Sequence, residues 1–100
     1  MAIRVALIGT GNCGSLALRQ LIEDDRFDLT NVWVSTEAKV GKDAGELARL
    51  DTVTGVTATG DLDAIIASKP DCAVYCAMGD VRPREALADV RGLLEAGINV

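Results

Sequence analysis

The chain has 100 residues, of which 49% are hydrophobic, and a formal net charge of −5. That is room for one small domain with a core of its own, and the acidic balance argues against a nucleic-acid or anionic-membrane surface. With 3 cysteines and no histidine, these residues cannot supply a Ser-His-Asp or Cys-His catalytic group or a histidine-based zinc site.

The opening "MAIRVALIG" has one arginine, a short apolar run and no small-residue cleavage pattern. It reads as a first strand, Ile3–Ile8, and not as a signal peptide, so a cytoplasmic location is the expectation. The run is apolar apart from Arg4, as suits a strand covered on both faces of a parallel sheet. From Asn12 to about Asp24, Ala17, Leu18, Leu21 and Ile22 share a helical face with Gly14. A second strand is expected at about Leu29–Val34. Asp43, followed by Glu46, forms a D-x-x-E capping box that predicts a short helix to about Leu50, although Gly45 weakens it. A third strand falls around Val56–Thr59. Asp61 suits the N-cap of a helix over Leu62–Ser68 that Lys69-Pro70 ends.

The fourth strand is expected at Cys72–Ala77. Pro83 then fits an early helical position, Ala86, Leu87, Val90, Leu93 and Leu94 supply an apolar face, and Gly97 suits the residue after the helix. Four residues of extended strand hold Cys72 and Cys76 roughly 13 Å apart, too far to bridge. Their spacing with Cys13 does not resemble a zinc knuckle, which leaves all three as small core fillers of a reducing compartment. The chain stops at "GINV", where another strand begins after Gly97; the expectation is an N-terminal piece of something longer.

Strands that alternate with helices imply parallel pairing through right-handed crossovers. The fold class expected is α/β, a Rossmann-type doubly wound parallel sheet. Its first three strands should run 3-2-1, with the fourth across the switch point beside the first.

Between the first strand and its helix lies "GTGNCG", with Gly9, Gly11 and Gly14 spaced as G-x-G-x-x-G. The pattern alone is weak, but a preceding buried strand and a following helix are the context of a dinucleotide fingerprint. Gly9 permits the tight turn, with Thr10 inside it. Gly11 lets a pyrophosphate approach the backbone, and Gly14 lets helix and strand pack closely. Amides around Asn12, Cys13 and Gly14 would face the phosphates at the positive end of the helix dipole. Asn12 suits either a helix cap or a phosphate contact. Cys13 is either a thiol of lowered pKa or a small residue tolerated beneath a cofactor.

In such folds an acidic residue ~20 positions past the glycines binds the adenosine ribose 2′-hydroxyl. Here that count reaches Val34 and Ser35. Ser35 and Thr36 can donate to a 2′-phosphate and Lys39 can neutralise it, whereas Glu37 could accept from a free ribose hydroxyl. NADP(H) is therefore expected to serve at least as well as NAD(H). Ordinary solvated loop charge is the competing account of Lys39 and Lys42. At the carboxyl end of the fourth strand, Ala77, Met78 and Gly79 are candidates for the nicotinamide side, with Met78 equally suited to plain packing. Asp80 and Arg82 read as helix-start and surface residues.

"VALIGTGNCGS", "VGKDAGELA" and "GVTATGDLDAII" together resemble the N-terminal domain of dihydrodipicolinate reductase-like proteins. The distinctive stretch is Gly41, Asp43, Ala44, Gly45, Glu46 and Leu47. "YCAMGD" stands where that enzyme has a "DFT" stretch, and no acidic or arginine residue follows the second strand. In both respects the sequence is more similar to the branch with 2,4-diaminopentanoate dehydrogenase and NAD(P)-dependent amine dehydrogenases. The resemblance implies a hydride exchanged between nicotinamide and a carbon–nitrogen centre of a small amine or carbonyl substrate. It also implies a C-terminal α+β domain that carries the catalytic groups and builds a homodimer or larger oligomer. Two alternatives stay open: a dehydrogenase of another substrate class, such as dihydrodipicolinate, a semialdehyde or a hydroxy acid, and a non-catalytic nucleotide-sensing domain.

Overall fold

A computed structural model describes residues 3–35, 37–76 and 83–100. The order is β1 (Ile3–Ile8), α1 (Asn12–Glu23), β2 (Phe27–Trp33), a 3-10 turn (Glu37–Lys39), α2 (Ala44–Leu47), β3 (Ala58–Thr59), α3 (Leu62–Ser68), β4 (Cys72–Tyr75) and α4 (Pro83–Glu95). The strands form one parallel sheet in the order β3-β2-β1-β4, the order expected for a doubly wound α/β domain.

Because side chains alternate along a strand, β1 feeds a core on each face. Val5 and Leu7 join Leu18, Leu21, Val32 and Ala44 beneath α1 and α2. Ala6 and Ile8 join Trp33, Ile65, Ala73 and Leu93 beneath α3 and α4. All four of these β1 residues are fully buried. Each large aliphatic side chain so placed contributes about 1.5–3 kcal/mol of hydrophobic stabilisation.

The ends of the elements depart from expectation for local reasons. β2 begins at Phe27, earlier than Leu29, because Phe27 and Asp28 pair with Ile3 and Arg4 of β1, and the pairing then takes up one extra residue. Val5 pairs with Leu29 and Ala6 with Asn31, leaving Thr30 as the extra residue. Its hydroxyl lies 2.7 Å from Asn31 Oδ1 and 3.3 Å from the Val5 carbonyl. α2 stops at Leu47 rather than near Leu50, since Arg49 takes a left-handed φ of 61°. β3 is only Ala58–Thr59, because Thr57 makes an antiparallel bridge to Asp43 instead of pairing with β2. β4 ends at Tyr75, one residue short of Cys76, whose amide still donates to Ile8 O at 2.7 Å, and Ala77 lies outside the described residues.

α4 closes with a Schellman arrangement. Gly97 has φ 83°, its amide donates to Leu94 O at 3.0 Å, and the Ile98 amide donates to Leu93 O at 3.0 Å. Leu93 and Ile98 are buried together on the sheet. The expected apolar face of α4 is only partly inward. Leu93 is covered, but Leu87 and Leu94, seven positions apart, lie on a side turned away from the sheet and stay exposed. Beyond α4 the chain runs beside β4, where Asn99 bridges Cys72 in parallel. Among the described residues, no helix is long and apolar enough to cross a membrane.

Candidate functional site

The loop between β1 and α1 owes its shape to its glycines. Gly9 has φ 98°, a region that L side chains rarely adopt, and its amide donates to Trp33 O at 2.9 Å, tying the turn to β2. A Cβ on Gly14 would overlap Gly9 O and lie 2.8 Å from Gly9 C and 3.3 Å from the Cys76 Cβ. Helix and strand thus meet here backbone to backbone. Gly11 is the opposite case: a Cβ there would find no atom within 4 Å. The space above it is open to a ligand.

Gly11, with φ −69° and ψ −162°, is the N-cap of α1 and supplies no side-chain cap. This corrects the reading of Asn12 as a cap, since the extended glycine already makes the entry turn and Asn12 is the first helical residue. The first amides of a helix have no acceptor of their own, and α1 has no acidic residue in its first turn. The backbone of Asn12, Cys13 and Gly14 therefore presents N–H groups and the positive end of the helix dipole beside the open space. The side chains of Asn12 and Cys13 lie outside the described residues.

Thr10, 7% exposed, is the sole buried polar residue among the described residues. Its carbonyl accepts the Ser15 hydroxyl at 2.9 Å and the Lys39 ammonium at 3.2 Å, and the same ammonium lies 3.2 Å from its hydroxyl. Lys39 is thus drawn to the glycine loop and not left as free loop charge.

Beside the loop, at the carboxyl ends of β2 and β3, opens a groove of about 830 Å³. Trp33, Ser35, Glu37, Val40, Gly60 and Asp61 contribute to its walls. The Trp33 indole N–H donates to Gly60 O at 3.1 Å, which fixes one wall. Ser35 lies on this groove, as does Glu37, whereas Lys42 is a surface residue whose ammonium is 4.0 Å from Glu46. Thr36, Ala77, Met78 and Gly79, together with Asp80 and Arg82, lie outside the described residues. The groove residues contributed by β3 and the turn after it were not singled out from the sequence. Their signal was available, since ligands of such sheets gather at the carboxyl ends of the strands.

The "GKDAGEL" stretch is scaffold that packs against the segment leading into β3. Asp43 caps α2 as expected, but Glu46 does not complete the box. The Asp43 carboxylate instead accepts amides from Gly45 at 2.8 Å, Thr54 at 3.0 Å and Gly55 at 2.9 Å. The Thr54 amide is the largest cause holding its pKa below the ordinary value, with those of Gly45 and Gly55 adding to it. Gly45 is required because a Cβ would overlap Thr52 O. Burial, with the nearby Asp71 charge adding to it, pushes the Cys72 thiol up.

A parallel doubly wound sheet with a glycine turn, open helix amides and a groove at its strand ends defines a domain of the Rossmann dinucleotide-binding class. More narrowly, residues 3–81 match the family described as dihydrodipicolinate reductase, N-terminus, and the chain belongs to that family. An amine dehydrogenase of Streptomyces virginiae is 47% identical over 95 residues, a match covering 95% of this chain and 26% of that protein. The solved amine dehydrogenase of Mycobacterium smegmatis superimposes with a TM-score of 0.79 at 25% identity, over 99% of this chain and 29% of its own. A biliverdin reductase from Synechocystis, solved with biliverdin and NADP+, shares the fold at a TM-score of 0.71 and 22% identity, over 96% of this chain and 27% of its own. This chain therefore spans about a quarter of the length of the curated relative it matches.

Proposed function

We propose that this chain is the coenzyme-binding part of an NAD(P)-dependent oxidoreductase of the amine dehydrogenase or imine reductase type. The observation that carries the reading is the contrast within one loop. Gly14 is closed against Gly9 while Gly11 faces open space beside the first amides of α1. Such a cradle admits a diphosphate to the backbone and excludes side chains from its path.

In this reading Gly9, Thr10, Gly11, Asn12, Cys13 and Gly14 hold the diphosphate through backbone groups. Ser35, on the groove, receives the adenosine end together with Thr36 and Lys39, and Ala77, Met78 and Gly79 line the nicotinamide side. The bound coenzyme supplies the hydride chemistry. The chain's own residues bind it, orient it across the carboxyl ends of β1 and β4, and place positive charge near its phosphates. The Ser35 hydroxyl on the groove and the Lys39 ammonium beside the loop favour NADP(H) at least as well as NAD(H). The carbon–nitrogen substrate is supported by the 47% identity to an amine dehydrogenase. A C-terminal α+β domain would supply the catalytic groups and the homo-oligomeric contacts, and the chain would serve as its N-terminal partner.

Titration calorimetry with NADPH and NADH tests the binding half of the proposal. The catalytic half is tested by following absorbance as full-length protein meets NADPH, ammonia and a panel of simple ketones. Coenzyme consumption that requires both ammonia and ketone supports the amine assignment. Tight coenzyme binding without turnover over a broad carbonyl panel overturns it in favour of a nucleotide sensor.

A further inference from the structure

Thr10 is the part of the loop that the backbone itself does least to fix. It lies between Gly9, in a left-handed conformation, and Gly11, which is unobstructed on its outer side. Glycine has the widest conformational range of any residue, so a segment flanked by two of them is not stiffened by its own chain. The contacts of Thr10 come from separate elements. Ser15 reaches back from α1 to its carbonyl at 2.9 Å. Lys39 reaches across from the 3-10 turn to both its carbonyl and its hydroxyl at 3.2 Å.

The base from which Lys39 reaches is itself anchored. The Val40 amide donates to Glu37 O at 3.1 Å and the Lys42 amide to Lys39 O at 3.2 Å. The Gly41 amide donates to Ala58 O at 2.8 Å, tying the turn to β3. A cation also lies here beside the positive end of α1, a place where a helix favours negative charge. Two sources of positive potential thus converge on the same loop. That arrangement is costly on its own and favourable once an anion sits between them.

We propose that Lys39 is a positioning residue for the glycine loop, holding Thr10 in place for the diphosphate of either nicotinamide coenzyme. The proposal rests on the reading of the loop as the coenzyme site, and it goes beyond a role in selecting the 2′-phosphate. A brace formed before binding removes the ordering cost from the binding step, and the diphosphate it serves is common to both coenzymes. Any contact that Lys39 makes with a 2′-phosphate adds to this shared contribution.

Calorimetric titration of NADH separates the two roles, because NADH has no 2′-phosphate. Lys39→Met is expected to weaken NADH binding about tenfold, the size of one charge-assisted hydrogen bond, and NADPH binding at least as much. Lys39→Arg keeps the charge and should restore most of the loss with both coenzymes, which a purely structural defect would not allow. Thr10→Val keeps the volume and removes the hydroxyl acceptor. It should weaken NADH binding too, and less than additively when combined with Lys39→Met. If Lys39→Met leaves NADH affinity within about twofold while NADPH affinity falls, Lys39 reads only the 2′-phosphate and the proposal is overturned. A wild-type protein that binds neither coenzyme defeats the functional reading instead, so the two failures are told apart.

Discussion

Gly14→Ala is the sharpest perturbation of the loop. The added methyl would lie 2.8 Å from Gly9 C and closer still to Gly9 O, and neither is a flexible side-chain tip. Carbon atoms pack best at about 3.5–4.0 Å, so the start of α1 must lift from β1 by roughly 1 Å to admit it. That movement loosens the packing of Leu18 and Leu21, which are 0% and 7% exposed. Overpacking of this kind costs about 1–3 kcal/mol, while replacing a helical glycine by alanine returns up to about 1 kcal/mol. A net loss of about 1–2 kcal/mol is expected, or a melting temperature lower by roughly 4–15 °C for a domain of this size. The same lift displaces the first amides of α1 from their place above the loop, so coenzyme affinity should fall more than tenfold. Gly11→Ala is the control, because its methyl meets nothing within 4 Å. It should cost no more than about 1 kcal/mol of stability yet block the diphosphate. Thermal denaturation and calorimetry on both variants decide the matter. A Gly14→Ala protein as stable and as competent in coenzyme binding as the wild type would refute the close-packing argument.

Asp43 gives a pH prediction. Its folded pKa lies below the ordinary carboxylate value, so the unfolded chain takes up the proton first. The stability it contributes is complete above that value and is lost as pH falls through the folded pKa. Asp24, held at about 2 chiefly by its side-chain hydrogen bond with Arg26, acts with the same sign in the same window. Asp43→Asn should flatten the acid limb of stability measured by denaturant titration, and hydrogen exchange should quicken at the amides of Gly45, Thr54 and Gly55. Trp33 is the only tryptophan of the chain and lines the groove at the ends of β2 and β3. Its fluorescence should change on titration with ADP, and an unaltered spectrum at saturation would place the adenosine end elsewhere. Leu18→Ala should cost about 2–5 kcal/mol in chemical denaturation, because Leu18 is fully buried against the sheet.

Much of this fold was legible in the sequence where one local rule acted alone. The apolar run at Ile3–Ile8 marked a strand covered on both faces, and Val5, Ala6, Leu7 and Ile8 are all at 0% exposure. Asp61 and Gly97 marked helix ends because capping and left-handed glycine are nearest-neighbour effects. What remained hidden depended on residues distant in sequence. The extra residue at Thr30 arises from pairing with β1. α2 stops early where Arg49 turns left-handed, and its cap Asp43 also bonds to Thr54 and Gly55, which no spacing within the helix reports. Leu87 and Leu94 have helical periodicity but face outward, since periodicity gives a face and not what covers it. In the site, the mechanical role of Gly14 followed from the fingerprint spacing. The partner of Lys39 did not, because Thr10 is 29 residues away along the chain.

The amide resonances of the glycine loop give the most direct reading of the whole account. On addition of NADPH to isotopically labelled protein, the largest chemical-shift changes should fall on the amides of residues 9–14 and on Ser35 and Trp33. Saturating coenzyme that leaves those resonances in place, or moves only those of the exposed α4 surface, would contradict it.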